Sequence, residues 1–253
     1  MLPQERYNKI LRMMSKSNVI KIEEIIEEFN ISVETARRDL TYLEKEGLIK
    51  KVYGGAVLVN PFAVEPLSSD RLAANLLNKE LIGKKCSEFI SDGDSVLLEV
   101  GTTTLQVAKA LKGKKNLTII TNSVYIINEL MDTDFTIYVL GGKIRHEEKS
   151  ISGAESLFEL DHFHVSKAII GAGAVTAENG ISDYNIEEAI VRKKIITRAK
   201  QVILVADSTK FGHDALISVC PISSIQTIIT DKGLDNNSLI KFNEMGTHLI
   251  FAD

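Results

Sequence analysis

The sequence predicts an α/β protein in two parts: a small helical unit closed by a β-hairpin, then a larger domain built on an open, mostly parallel sheet. Three observations predict it. Residues 1–58 carry apolar residues at helical 3–4 spacing that gives way to short β-prone runs around Gly54-Gly55. From residue 72 to 253, seven apolar β-type runs occur, most of them separated by amphipathic stretches. Between the two parts, residues 59–71 hold two prolines and few periodic apolar positions, the composition of a linker.

The first unit reads element by element. Residues 3–16 place Tyr7, Ile10, Leu11 and Met14 on one helical face, and Pro3 suits a first turn, where its missing N–H costs nothing. "IEEIIEEF" at 22–29 repeats the pattern through Ile22, Ile25, Ile26 and Phe29. "NIS" at 30–32 breaks it, and Ser32 is a favourable N-cap for a third helix, "VETARRDLTYLEKE", that stops at Gly47. Val33, Ala36, Leu40 and Leu43 form its expected inner stripe, which turns Glu34, Thr35, Arg37, Arg38 and Thr41 outward. "LIKKVYGGAVLV" at 48–59 is two β-prone runs about a Gly-Gly turn, a hairpin carrying Lys50, Lys51 and Tyr53.

In the larger part, strands are expected in the runs 95–100, 117–121, 135–140, 167–171, 201–206, 225–229 and 247–251. Helices are expected over 103–112, 123–131, 185–199 and 236–245. In an open parallel sheet, ligands bind outside the carboxyl ends of the strands. The chemistry is therefore sought in the loops that follow each run. "LEVGTTTLQVAKAL" at 98–111 is a strand, a glycine turn and a helix start. Gly101 would let the chain turn tightly, and the N–H groups and positive end of the helix favour an anion. Thr102, Thr103 and Thr104 add hydroxyl donors, although a plain threonine cap would look the same. Other strand ends bring Thr121, Asn122 and Ser123; Gly141, Gly142, Lys143 and Arg145; Gly171 and Gly173; and Lys210. A single surface lysine means little, but several small or cationic loops along one edge form a pattern.

Bulk properties exclude some functions. The 253 residues are 44 % hydrophobic and 25 % charged with a net charge of −4, ordinary for a globular protein. Residues 1–58 hold ten Lys/Arg against nine Asp/Glu, and the remainder twenty against twenty-five, so a faintly basic head sits on an acidic body. Cys86 and Cys220 stand alone, without metal spacing, as expected of buried reduced thiols. His146, His162, His164, His213 and His248 have no metal-ligand pattern either, so neither metal nor cofactor is expected. No secretory signal is visible, and no apolar run approaches the roughly 20 residues of a membrane span. The expected compartment is the cytoplasm.

The string "ISVETARRDLTYLEKEGLIKKVYGGA" resembles the head of the DeoR family of bacterial regulators, with Ile31-Ser32 for Val-Ser, Ala36 where Ile is common and Tyr53 where His is common. The pieces "GTTT", "TNS", "GGKIR", "SISG", "GISDYNIEEA" and "ADSTKFG" follow in the family's order, so the resemblance spans nearly the whole chain. It implies a winged helix–turn–helix over 1–58, with Ser32, Thr35, Arg37 and Arg38 on operator DNA and Lys50, Lys51 and Tyr53 on a wing. It implies a Rossmann-like domain over 72–253 that resembles sugar-phosphate isomerases and deaminases. Gly101 to Thr104 would cradle a phosphate, with Lys210, Asn122 and Lys143 or Arg145 holding the rest of a phosphorylated sugar effector.

An isomerase or deaminase with an attached helical head is the alternative. Such chemistry needs a positioned carboxylate base. The isomerases carry acids in the loop that corresponds to "GAGAV" at 171–175, which here has none; the family's usual Asp there is Gly173, and its Asp before the glycine turn is Glu99 or Val100. Glu178 and Asp183 lie several residues away, and Glu187 and Glu188 suit a helix start by their charge alone. The expectation is a sensor with no catalytic residues: a repressor of a sugar-metabolism operon, a dimer or tetramer held by its C-terminal domains. A third possibility is a body that docks a partner protein and keeps only a vestigial pocket.

Overall fold

The computed structural model describes residues 1–14, 17–59 and 65–253. The chain forms two units, Met1–Leu67 and Ser68–Asp253. The linker expected over 59–71 falls partly, at 60–64, outside the described residues, and its last residues open a helix.

The first unit runs α1 (Pro3–Met14), β1 (Val19–Lys21), α2 (Ile22–Phe29), α3 (Val33–Lys45), β2 (Ile49–Val52) and β3 (Gly55–Leu58). Residues 15–16, expected to continue the first helix, lie outside the described residues. The hairpin β2–β3 forms as expected, with Val52 opposite Gly55. Strand β1 was not foreseen; it pairs antiparallel with β3 and makes the hairpin a three-stranded sheet. Three residues are too few to show a period, so only the tertiary pairing defines it.

Ile10, Met14, Ile20, Ile25, Ala36, Leu40, Leu43, Ile49, Ala56 and Leu58 form one core. Val33 does not join them, because it is 45 % exposed. It lies in the first turn of α3, beyond the reach of the core that receives Ala36, one turn further in. A charged residue goes inside instead: Asp39 is fully buried and accepts from Arg6 Nε at 2.5 Å and Nη2 at 2.9 Å, clamping α1 to α3. Tyr7 and Tyr42 stack beside it at 4.4 Å.

The second unit contains α4 (Ser68–Ala73), α5 (Leu76–Ser87), β4 (Ser95–Leu98), α6 (Thr102–Ala110), β5 (Thr118–Thr121), α7 (Val124–Leu130) and β6 (Thr136–Val139). It continues with β7 (Lys143–Arg145), β8 (Ser150–Ser152), α8 (Ala154–Leu160), β9 (Val165–Ile170), β10 (Ala174–Thr176), β11 (Gly180–Asp183) and α9 (Ile186–Ile196). It ends with β12 (Ala199–Val205), β13 (Ile217–Cys220), β14 (Thr227–Thr230), α10 (Asn236–Glu244) and β15 (Leu249–Phe251).

The seven expected runs are the seven strands of one sheet, ordered β15-β14-β12-β9-β4-β5-β6, and every pairing in it is parallel. Strand residues alternate between two apolar layers. Val96, Leu98, Ile119, Ile169, Ile203 and Ile229 pack with Ile82, Leu105 and Ile126 of α5, α6 and α7. Leu97, Ile120, Ile170, Leu204 and Ile228 pack with Leu160 of α8, Val191 and Ile195 of α9, and Phe242 of α10. Burial on both faces is why these strands read as continuous apolar runs. Helix α5 was not anticipated. It lies against α6 so closely that a Cβ on Gly83 would fall 2.6 Å from the Gln106 carbonyl carbon. The chain moves outward from β4 to β5 and β6, then returns to place β9 on the other side of β4. The carboxyl ends of β4 and β9 therefore flank the switch point, where such sheets hold ligands.

Cys86 and Cys220 are buried and unbridged, as expected. Burial raises both thiols, Cys220 to about 11, so both stay protonated at neutral pH.

Candidate functional sites

Two regions gather the residues singled out in the sequence. The first is the amino-terminal half of α3. Ser32 adopts an extended backbone and caps the helix, its Oγ accepting from Thr35 N at 3.2 Å and lying 3.0 Å from Thr35 Oγ1. Ser32, Val33, Glu34, Thr35, Arg37, Arg38 and Thr41 line one shallow concavity of about 850 Å³. Arg37 and Arg38 are exposed, while Thr41 Oγ1 bonds back to the Arg37 carbonyl at 2.8 Å. Two guanidiniums, three hydroxyls and a helix amino terminus on one open face are the donors that bind phosphates and the acceptor edges of guanine.

The hairpin lies alongside. Lys51 Nζ donates to Thr41 Oγ1 at 3.1 Å and sits 3.2 Å from Glu44 Oε2, and its N–H donates to Glu44 Oε1 at 2.9 Å. That N–H, with the ammonium, holds the Glu44 carboxyl below its ordinary value. Lys51 thus ties the hairpin to α3, whereas Lys50 and Tyr53 project into solvent.

The second region is the carboxyl edge of the parallel sheet. Gly101, Asn122, Gly171 and the Lys210 loop follow β4, β5, β9 and β12 at this edge, and the Gly141–Arg145 stretch follows β6. Gly101 is extended, at φ 161 and ψ 155, so it does not supply the tight turn expected of it. It supplies room: a Cβ there would lie 2.9 Å from Thr104 Oγ1, and that hydroxyl donates to the Gly101 carbonyl at 2.9 Å. Thr104 is fully buried, so Thr102 and Thr103, at the edge of α6, are the more accessible hydroxyls.

Several of the expected contacts already have protein partners. Asn122 is buried; its Oδ1 accepts from Val100 N at 2.9 Å and its Nδ2 donates to the Ile151 carbonyl at 3.3 Å, so it props the loop after β4. Thr121 Oγ1 accepts from Ser123 N at 3.1 Å, and Ser123 Oγ caps α7 by accepting from Ile126 N at 3.4 Å. Gly141 donates its N–H to Glu159 Oε2 at 2.6 Å, and Gly142 lies against the Ser152 carbonyl. Arg145 Nη1 is 3.2 Å from Glu188 Oε1, whereas Lys143 is exposed.

The "GAGAV" loop carries no carboxylate of its own, but the fold brings two to it. Gly171 N donates to Glu99 Oε2 at 3.3 Å, and a Cβ on Gly173 would lie 3.0 Å from Asp183 Cα. Both carboxylates are bound by Arg192 of α9, whose Nε lies 2.6 and 2.7 Å from the Glu99 oxygens and whose Nη1 donates to Asp183 Oδ2. All three side chains are buried. Burial pushes the Glu99 carboxyl up to about 7 against the pull of Arg192, with Asp183 and Glu188 adding to the rise. Nothing in the sequence marked Arg192 beyond its place one turn after Glu188, on the face opposite to the exposed Ile186 and Ile190.

Sequence reasoning also missed Lys79. It belongs to the buried face of α5 with Ile82, Gly83 and Cys86. Its ammonium donates to the Ala74 carbonyl at 2.7 Å and to the Arg71 carbonyl, at the end of α4. Burial pushes it down to about 8; Asp207 pulls the other way, while Lys210 and Arg71 add to the fall.

Comparison with known proteins assigns both parts. Residues 6–62 match the DeoR-like helix-turn-helix domain, and residues 74–232 match the DeoR C terminal sensor domain. An uncharacterized HTH-type transcriptional regulator, FruR, of Bacillus subtilis (strain 168) is 33 % identical over 91 % of this chain and 92 % of its own length. The glycerol-3-phosphate regulon repressor of Escherichia coli (strain K12) is 32 % identical over 90 % of each chain. A looser likeness, TM-score 0.40 and 16 % identity over 57 % of this chain and 56 % of the other, is to ribose 5-phosphate isomerase A of Methanocaldococcus jannaschii.

Proposed function

This chain belongs to the DeoR family of bacterial transcriptional regulators, and we propose that it represses a sugar-metabolism operon under the control of a phosphorylated sugar. The observation that carries the proposal is the pairing of an open, capped recognition helix with a second, separate ligand-type edge. In the proposal, α3 enters the major groove of double-stranded operator DNA amino terminus first. Arg37 and Arg38 read base edges; Ser32, Glu34, Thr35 and Thr41 position the helix; Lys50, Lys51 and Tyr53 meet the backbone from the wing. Because such heads read two-fold sites, the protein acts as a homodimer or tetramer. Among the described residues no helix is long and apolar enough to cross a membrane, which suits a cytoplasmic regulator.

The effector's phosphate is assigned to the start of α6, Gly101–Thr104, and Lys210, with Lys143 and Gly171 nearer the sugar. A repressor responds only if its effector binds the DNA-competent and DNA-incompetent states with different affinity. An isomerase with Glu99 as its base is the reading that Glu99's elevated proton affinity favours. Arg192 opposes it, because a carboxylate chelated through both oxygens is not available to take a proton from carbon. Phosphorus NMR of the protein with a panel of sugar phosphates separates the two: ligand broadening without new peaks supports a sensor, and product peaks growing with time support an enzyme.

Two substitutions test the assignment. Arg37→Ala is expected to cost about 1–3 kcal/mol of operator affinity and to relax sequence preference, with effector binding retained. Fluorescence anisotropy on operator and scrambled duplexes checks this, and unchanged affinity and preference would show that α3 is not the reading helix. Thr103→Ala combined with Lys210→Ala is expected to leave operator binding intact while removing the response to effector. A normal response from that double variant would place the phosphate elsewhere.

A further inference from the structure

We propose that Lys79 is a second cation of the effector site, gripping the phosphate together with Lys210 and the amino terminus of α6. This rests on the reading of the effector as a phosphorylated molecule. The placement comes from packing. Asn75, at the start of α5, donates from Nδ2 to Asp207 Oδ1 at 3.3 Å, just past the carboxyl end of β12, so α5 begins at the ligand edge of the sheet. Helix α6 begins at the same edge, after β4, and Gly83 of α5 abuts Gln106 of α6. The two helices therefore run side by side in the same direction. One turn back from each contact residue, Lys79 stands level with Thr102 and Thr103.

The electrostatics point the same way. Lys79 is 2 % exposed, yet its bonded partners are the neutral carbonyls of Arg71 and Ala74. Capping the end of α4 in this way does not require a charge. The carboxylate within range, Asp207, already accepts from Asn75 Nδ2 and from Thr209 N and Oγ1 through Oδ1. Lys210 and, more weakly, Arg71, which is itself paired with Glu148, act against the ammonium. A desolvated ammonium bonded only to neutral carbonyls is costly alone and is compensated by an anion. A phosphate dianion against α6, touching both lysines, supplies that charge and makes charge-assisted hydrogen bonds.

The test uses the full chain and phosphorus NMR, with inorganic phosphate, ribose 5-phosphate and fructose 6-phosphate as probes. Lys79→Met is expected to weaken the phosphate affinity of the wild type about tenfold or more, and Lys79→Arg to restore part of it, with operator affinity unchanged. A Lys79→Met protein that keeps wild-type phosphate affinity overturns the inference and leaves the sensor reading standing. Wild-type protein that binds none of the probes overturns both. Hydrogen exchange in the wild type gives a readout free of any folding defect. Saturating phosphate should slow exchange across residues 71–79, and unchanged rates there despite bound phosphate would also overturn the role of Lys79.

Discussion

Replacing Arg192 with methionine is expected to destabilise the C-terminal unit by about 3–5 kcal/mol, the cost of leaving buried charges without their partner. Glu99 and Asp183 would both lose the guanidinium that joins them at the end of β4. The loss should depend on pH in a definite direction. Folding already raises Glu99 from an ordinary 4.5 to about 7. Between those values the folded state binds more protons than the unfolded one, so this group's contribution to stability falls as pH rises. Removing Arg192 strengthens that preference for the neutral acid, so the variant should be much weaker than wild type at pH 8 and closer to it at pH 5. Urea midpoints at the two pH values measure this; a deficit that is equal at both, or greater at pH 5, would show that the carboxylates are not held by Arg192. Glu99→Gln in the Arg192→Met background should recover part of the loss, because the amide needs no counter-ion.

Asp39→Ala is expected to cost a similar 3–5 kcal/mol, here in the DNA-binding head, by stranding the Arg6 guanidinium beneath α3. A head of about 60 residues has little stability in reserve, so this loss should unfold it at moderate temperature. Calorimetry should then show an early transition for the head and an unchanged one for the sensor unit, with operator binding lost and effector binding kept. Combining Asp39→Leu with Arg6→Met, which removes both charges, should restore much of the stability. Wild-type operator affinity in Asp39→Ala at 37 °C would show that the pair does not hold the head together. Asp39 lies in the same Arg-Arg-Asp-Leu run as the outward arginines, so neighbouring residues of one short motif have opposite duties: Arg37 and Arg38 face solvent, and Asp39 faces α1.

The legibility of the fold followed the physics of each element. The seven strands of the large sheet were visible as uninterrupted apolar or β-branched runs, which burial on both faces demands of the central β4, β5, β9, β12 and β14 and which the more exposed edge strands β6 and β15 share. Helix α3 was visible through its Ser32 cap, its Ala36-Leu40-Leu43 stripe and its Gly47 stop. Helix α5 was not, because Lys79 interrupts its buried face with a charge and Gly83 with no side chain at all. Strands β7, β8, β10, β11 and β13 are three or four residues long and take their form from pairing partners.

The sequence by itself determined the order of the two units, the parallel sheet and the candidate loops at its carboxyl edge, since local periodicity and loop position carry that information. Only the tertiary structure decided what each loop residue does. It joined Glu99 to Arg192, 93 positions away, and put Asn122 beneath the turn after β4. It also buried Lys79 against the carbonyls of Arg71 and Ala74. Charge compensation is a matter of distance in space and of exclusion from water, and neither quantity is written along the chain.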